Sequence, residues 1–489
     1  LRKVIAGALA LVIVLSGTVA ARTDKRKKAA WDWMEANQQP AVETARFIWE
    51  HPELGEYEFE SSAQLAAYLA ENGFTLEKGV ANLPTAWVAT WTRGQGPVIG
   101  YLCEYDALPG LSQKAATPEQ APLAQGQPGH GCGHNLLGAG AAFAAVGLKQ
   151  AMIANDIPGT VKVFGCPAEE TLVGKVYMVR DGVFKGIDIA LGWHPGGTNS
   201  VVYSSSLAMS SIKFRFFGRT AHGAGNPQNG RSSLDAVELT DVGVNFMREH
   251  VIEKARIHYV ITNGGGAPNV VPDRAEVWYY VRAPKTDQMR PILDWVREIA
   301  KGASIMTKTR LEEELLSSCW EFLPNEPLSR LLYENFKEVG PPQFDQADRD
   351  FALALSRNFE KPDTARLLHT DIDTLEIVPL DKLPVNSGSV DDGDVSWNVP
   401  YGRITGACSV RGGSGHSWQT VTCAGGPLGF KGMVVAAKVM AGAGLELMQD
   451  RKLIQAAWDD FNKKTADQKY ECGVPDSLPP PSRRKVSMD

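Results

Sequence analysis

The stretch GHGCGHNLLGAGAAFAAVGLKQAMIANDIPGTVKVFGCPAEE, residues 129–170, runs from a loop through a helix into a strand. His134–Ala154 is rich in Ala, Leu and Gly and reads as a packed helix, and Thr160–Cys166 is a β-rich run. A second β-rich run, Val98–Cys103, precedes the loop, so strand, helix and strand in that order predict an α/β sheet. Sheets of this kind bind ligands beyond the carboxyl ends of their strands. The unusual residues fall there: His130, Cys132 and His134 in the loop, Glu169 and Glu170 straight after the second strand.

Working outward, Trp31, Met34, Ala41, Ala45 and Ile48 are mostly spaced three or four apart, which predicts an N-terminal helix within Lys25–Glu50. The texture changes near Leu207. Ser211–Phe217 reads as a strand, Ser232–His250 as a helix, Ala255–Thr262 and Ala275–Ala283 as strands, Thr286–Ser304 as a helix and Lys308–Leu315 as a further strand. That βαββαβ order describes a small ferredoxin-like unit inserted in the chain. Glycine-rich loops then lead into the apolar helix Gly432–Met448, and Pro475 with Pro479–Pro481 predicts an extended strap or a disordered end.

The chain has 489 residues, 44% hydrophobic and 22% charged, enough for two or three domains with ordinary globular cores. Its formal charge of −6 and the lack of a dense basic stretch argue against a nucleic-acid partner. Seven widely spaced cysteines are not a disulfide framework. Arg2 and Lys3, the apolar run Val4–Leu15 and the small residues to Ala21 read as a secretory signal peptide, and no later stretch reads as a membrane span. The expectation is export to the periplasm or the extracellular space, with no stable membrane span after cleavage. The boundaries expected are 1–21 for the signal, 22–207 and 326–450 for the two parts of a catalytic domain, 208–325 for the insertion, and 451–489 for a C-terminal extension.

Cys132, His130 and His134 sit on a glycine-rich loop that opens a helix, and Cys and His are donors that Zn²⁺ prefers. A plain glycine turn with solvated histidines is the alternative. In PAEE, Pro167–Glu170, two adjacent carboxylates at a strand end can separate, one ligating a metal while the other handles protons; surface charge is the bland reading. His194 in GWHPG, after the apolar run Ile187–Leu191, and His416 in GGSGH lie in similar glycine-flanked loops. Together the four loops favour a metal site over chance. The remaining histidines, His51, His130, His250, His258 and His369, read as structural or solvated, and the six other cysteines as ordinary thiols. Serine-nucleophile elbows, phosphate loops and dinucleotide fingerprints are absent from the sequence.

GHGCGHN, PAEE, GWHPG, RTAHGAGNPQNGRSSLDA, GGGAPNVVPD and GHSWQ, in this order over residues 129–419, resemble the dinuclear metal amidohydrolases and peptidases. That family includes glutamate carboxypeptidase, hippurate hydrolase and indole-acetyl-amino-acid hydrolases. EYDALPGLSQ and DDGDVSWNVP are similar to its branch acting on p-aminobenzoyl-glutamate. The resemblance implies a mixed-sheet α/β metallopeptidase-type catalytic domain with an inserted ferredoxin-like dimerisation domain. It implies two divalent ions, Zn²⁺ with Mn²⁺ or Co²⁺ as alternatives, held by Cys132, His134, Glu170, His194 and His416. Glu169 would be the general base, His222 the oxyanion donor reaching across a homodimer, and Asn269 and Arg282 the groups binding the substrate backbone and its carboxylate.

Many relatives carry His-x-Asp where this chain reads Glu104-Tyr105-Asp106, so that histidine ligand is absent, His134 takes its place, and Asp106 orients a ligand. Asn135 stands where hippurate-type enzymes often have Asp. The activity implied is hydrolysis of the amide bond of an N-acyl amino acid, p-aminobenzoyl-glutamate-like; the alternatives are a dipeptidase or a catalytically silent binding protein. A related second subunit is left open.

Overall fold

The computed structural model describes residues 24–483 except residue 363, so the expected signal peptide lies outside the described residues. Among the described residues, eleven strands carry the architecture: β1 (Thr75–Lys78), β2 (Trp87–Arg93), β3 (Val98–Cys103), β4 (Gly159–Gly165), β5 (Ile189–Gly196), β6 (Ser200–Val201), β7 (Ala208–Phe217), β8 (Arg256–Asn263), β9 (Arg274–Ala283), β10 (Arg310–Cys319) and β11 (Tyr401–Ala407). Seven form one mixed sheet in the order β1-β2-β4-β3-β5-β11-β6. Its four central strands, β4, β3, β5 and β11, are parallel, and the outer pairings are antiparallel. Four parallel strands therefore deliver their carboxyl ends, and the loops that follow, to one edge of the sheet.

The helix His134–Ala154 covers the sheet beside a second apolar helix, Pro427–Gln449. Phe143, Leu148, Met440 and Leu445 on these helices are fully buried, each such side chain contributing about 1.5–3 kcal/mol of transfer free energy. Small residues let the first helix lie close: a Cβ at Gly138 would come within 2.5 Å of the Glu104 carbonyl oxygen. That close approach sets the helix start against the end of β3. Contrary to the sequence expectation, both helices are long and apolar enough to cross a membrane, but most of each is buried inside the protein, as befits core helices.

The N-terminal segment forms two helices, Lys25–Ala36 and Gln39–Glu50, rather than a single one. Asn37 closes the first by donating its N–H to Met34 and Trp33 carbonyls, and Pro40, which lacks an N–H, starts the second. The expected apolar face survives the break, since Trp31, Met34, Ala41, Ala45 and Ile48 are all buried.

Residues 208–319 build the second sheet, in the order β10-β7-β9-β8, with helices Ser233–Met247 and Thr286–Thr307 on it. Element order is βαββαβ, as the sequence predicts, and the sheet is antiparallel throughout. Alternate residues of β9, Ala275, Val277, Tyr279, Val281 and Ala283, are buried beneath the two helices. After the helix Arg451–Lys464 the proline-rich tail lies along the body as a strap. Val474 is buried, the Tyr470 hydroxyl donates to Asp394 Oδ1 at 2.6 Å, and the Ser482 N–H donates to Glu56 Oε2 at 2.7 Å.

Candidate metal centre

Each central strand ends in part of one cluster. β3 leads into Glu104 and Asp106, β4 into Glu169 and Glu170, β5 carries His194, and the loop after β11 carries His416. Cys132 and His134 come from the loop that opens the core helix. Gly133 makes that loop feasible: its φ is +80°, and a Cβ there would meet the Pro195 ring at 2.8 Å. In PAEE, Ala168 also has positive φ, and its N–H donates to Glu58 Oε1 at 2.7 Å, which fixes the turn that sends the two following carboxylates apart.

Two overlapping donor groups result. Cys132, His134 and His194 place their donor atoms within 4.8 Å of one another, as do Cys132, Glu170 and His416. Cys132 is common to both. His194 Nδ1 meets the Pro195 carbonyl at 2.7 Å, which makes Nδ1 the protonated nitrogen and leaves the Nε2 lone pair 3.3 Å from Cys132 Sγ. Likewise His134 Nδ1 meets Asp106 Oδ1 at 2.8 Å, and Asp106 Oδ2 accepts the Glu170 N–H at 2.8 Å. Glu170 Oε2 lies 3.6 Å from His416 Nε2, and Glu169 Oε2 lies 3.7 Å from His134 Nε2. All five expected metal donors are thus assembled, with Glu169 beside them and Asp106 orienting His134.

Electrostatics set the protonation of these groups. Burial, aided by Arg403 and His134, pushes His194 down to about 3, and burial with His134 also lowers His416, so both present neutral lone pairs. Burial raises the Cys132 thiol to about 12 and Glu170 to about 7, and it raises Glu169 well above the carboxylate range with help from Glu104. Burial opposes a charge on His134, but Cys132 and Asp106 raise it overall. Three buried polar atoms, Glu104 Oε2, His134 Nε2 and Glu170 Oε1, have no hydrogen-bond partner. Orphaned carboxylate and imidazole atoms converging with a thiol and two neutral imidazoles are the donor set of a divalent metal site, and the residues fit the ions that the family resemblance implies.

The other expected residues sit on the smaller sheet's unit. His222 and Asn269 lie on two exposed, joined loops: Gly223 donates to the Asn269 carbonyl at 2.8 Å, and His222 Nδ1 accepts the Gly225 N–H at 3.0 Å. No hydrogen bond described for His222 reaches the cluster. Arg282 on β9 is half-buried, with Nε unpartnered and Nη1 donating to Ser389 Oγ at 3.3 Å. Arg282 lies over the ring of Tyr280, 5.5 Å from its centroid, and burial raises the Tyr280 hydroxyl. His130, expected to be structural, is buried with Nε2 2.9 Å from the Ile48 carbonyl.

Sequence reasoning passed over Glu104 and the ions behind it. Lys175, fully buried, donates from Nζ to Glu104 Oε1 at 2.7 Å and to Asp391 Oδ1, and its N–H donates to Asp391 Oδ2 at 2.8 Å. Asp392 in turn meets Arg403 Nε at 3.2 Å. The motifs EYDALPGLSQ and DDGDVSWNVP each held half of this network, but nothing in their spacing pairs them across 287 positions, from Glu104 to Asp391.

The sequence profile of peptidase family M20/M25/M40 matches residues 102–314. The chain is 38% identical over 469 residues to a subunit of p-aminobenzoyl-glutamate hydrolase from Escherichia coli (strain K12), covering 92% of this chain and 97% of that protein. It is 29% identical over 338 residues to Xaa-Arg dipeptidase of Mus musculus, covering 66% of this chain and 73% of that one. Among solved structures, a Bacillus subtilis dinuclear metal binding peptidase of the M20 family matches the fold with a TM-score of 0.53 at 18% identity, over 86% of this chain and 99% of that chain.

Proposed function

The chain belongs to peptidase family M20/M25/M40 and is a hydrolase of amide bonds, and from that premise we propose that it cleaves the amide of an N-acyl amino acid, p-aminobenzoyl-glutamate-like, with two divalent ions. The observation that carries this reading is the convergence of Cys132, His134, Glu170, His194 and His416 around a buried Glu169 at the ends of four parallel strands.

Cys132, His134 and His194 would hold one ion, and Cys132, Glu170 and His416 the other. Bound there, two divalent ions would supply Lewis acidity and lower the pKa of a water molecule. Thiolate and imidazole donors favour Zn²⁺, with Mn²⁺ and Co²⁺ as alternatives. Glu169 does the proton chemistry. Its carboxylate takes a proton from the water as the oxygen bonds to the carbonyl carbon, and it delivers that proton to the amide nitrogen as the C–N bond breaks. Burial raises its proton affinity, which suits its holding the proton between the two steps. Arg282, with a buried unpartnered Nε, would pair with the substrate carboxylate, and Asn269 with its backbone.

His222 completes the site in this reading as an oxyanion donor from a second copy of the chain. What supports a homodimer is the exposed apolar face of the smaller sheet's unit: Leu239, Val242 and Phe246 along one helix stripe, and Tyr259, Val260 and Ile261 on β8, an edge strand. The Escherichia coli relative is one subunit of its enzyme, which supports the alternative of a related second chain. Similarity to a dipeptidase supports dipeptides as a second substrate class. Residues 2–21 support export, which fractionation of cells expressing the full chain tests.

The deciding experiment measures metal content and hydrolysis of p-aminobenzoyl-glutamate, hippurate, an acetylated amino acid and a dipeptide. Two ions per chain with turnover of one substrate is the expected result. A protein that takes up no metal and turns over nothing would be a silent binding protein on this fold.

A further inference from the structure

Glu104 is buried to 2% exposure, and its two oxygens face different surroundings. Oε1 is saturated by the Lys175 ammonium at 2.7 Å, while Oε2 has no hydrogen-bond partner and points at His134 Nε2, 3.3 Å away. His134 Nε2 is itself unpartnered, because Asp106 holds the opposite ring nitrogen. A buried carboxylate oxygen and a ring nitrogen this close are held together by a proton on the ring or by a cation between them. Their spacing suits one coordination sphere: with ligand bonds of about 2.1 Å, the donor–donor edge of a tetrahedron is about 3.4 Å. Glu104, His134 and Glu169 form a third donor group, with donors within 4.8 Å of one another, which overlaps the Cys132, His134 and His194 group at His134.

Glu104 also forms an acidic group with Asp391 and Asp392, but Lys175 Nζ already occupies that space, 3.5 Å from Asp392 Oδ1 and hydrogen-bonded to Asp391. The ammonium, anchored there, pins one oxygen of Glu104 and leaves the other aimed at the donor cluster. Lys175 and Arg403 pair with the three carboxyl groups of Glu104, Asp391 and Asp392.

We propose that Glu104 is a sixth protein ligand of the metal pair, bound through Oε2 to the ion that His134 holds, with Lys175 as the residue that positions it. This rests on the two-metal reading above. A carboxylate there makes the site more anionic and harder. It also separates Glu104 from Glu169: one oxygen set holds the ion while the other handles the proton.

The test uses the full chain, Co²⁺ as the probe ion, and three proteins: wild type, Glu104→Gln and Glu104→Asp. Stoichiometry and affinity are read by equilibrium dialysis against a competing chelator, and coordination by the visible bands of bound Co²⁺. The expected result is two ions in the wild type, at least about a tenfold weaker affinity for one ion in Glu104→Gln, and altered bands for that ion while the Cys132 charge-transfer band persists. Glu104→Asp keeps a charge for Lys175 but withdraws the oxygen, so it should weaken the same ion and remains readable if the Gln variant does not fold. Unchanged affinities and bands in either folded variant overturn the proposal and leave Glu104 as a counter-ion for Lys175 and His134. A wild type that binds no Co²⁺ overturns the two-metal reading itself.

Discussion

His134 and Asp106 are joined by a 2.8 Å hydrogen bond between Nδ1 and Oδ1, and the second oxygen of the same carboxylate takes the backbone N–H of Glu170. One buried side chain therefore fixes the ring of one donor and the main chain of another. Asp106→Ala should lower metal affinity about 10–100-fold while leaving the fold intact. A chelator competition titration measures this, and an unchanged affinity would remove the orienting role.

Glu169 sits 3.7 Å from His134 Nε2 without belonging to either three-donor group around Cys132. Glu169→Gln should keep both ions and lose hydrolysis by about 10²–10⁴-fold, the usual worth of general acid–base catalysis. Metal analysis and kcat are measured on the same preparation. Normal turnover would dismiss Glu169 as the base.

His222 has no described hydrogen bond to the cluster of its own chain, and its loop is exposed. His222→Ala should be inactive yet bind metal normally. Mixed with Glu169→Gln, it should regain activity, because a hybrid dimer holds one site with both Glu169 and His222 wild type. Hybrid dimers confirmed by mass and still inactive would rule out action across the interface.

Removal of metal should lower the first thermal unfolding transition, since the orphaned Glu104, His134 and Glu170 atoms lose what would satisfy them. At free metal about 100 times the dissociation constant, each ion adds about 2.7 kcal/mol, and returning Zn²⁺ should recover it. Melting curves that coincide with and without chelator would refute a stabilising metal.

Asp394 links the C-terminal strap to the body through Tyr470, and burial raises its carboxyl from 3.8 to about 7. The folded protein thus holds this proton more tightly than the unfolded chain. Its stabilising contribution is full below pH about 4 and is lost as pH rises through about 7. Denaturant melts at pH 6 and pH 8.5 should show a smaller loss of stability in Asp394→Asn than in the wild type. Equal losses would show that Asp394 does not govern this pH range.

Much of this was legible in sequence because local pattern carried it. Period-two alternation marked β7 and β9, apolar composition marked the core helices, and glycine beside Cys132, His194 and His416 marked loops under steric demand. The break at Asn37–Gln38 was missed because the apolar face continues across it, and periodicity does not register a short interruption.

By itself the sequence determined which residues are available and on what kind of element they lie: strand ends bearing acids, a Cys-x-His loop opening a helix, and a βαββαβ insertion. Only the tertiary structure decided which donors share space. The parallel order β4-β3-β5-β11 gathers four loops at one edge, and the buried Lys175 selects which oxygen of Glu104 faces the cluster. The physical reason is that secondary structure follows from local sterics and hydrophobic period, whereas metal-site chemistry depends on distances of a few ångströms between residues hundreds of positions apart. Packing alone sets those distances.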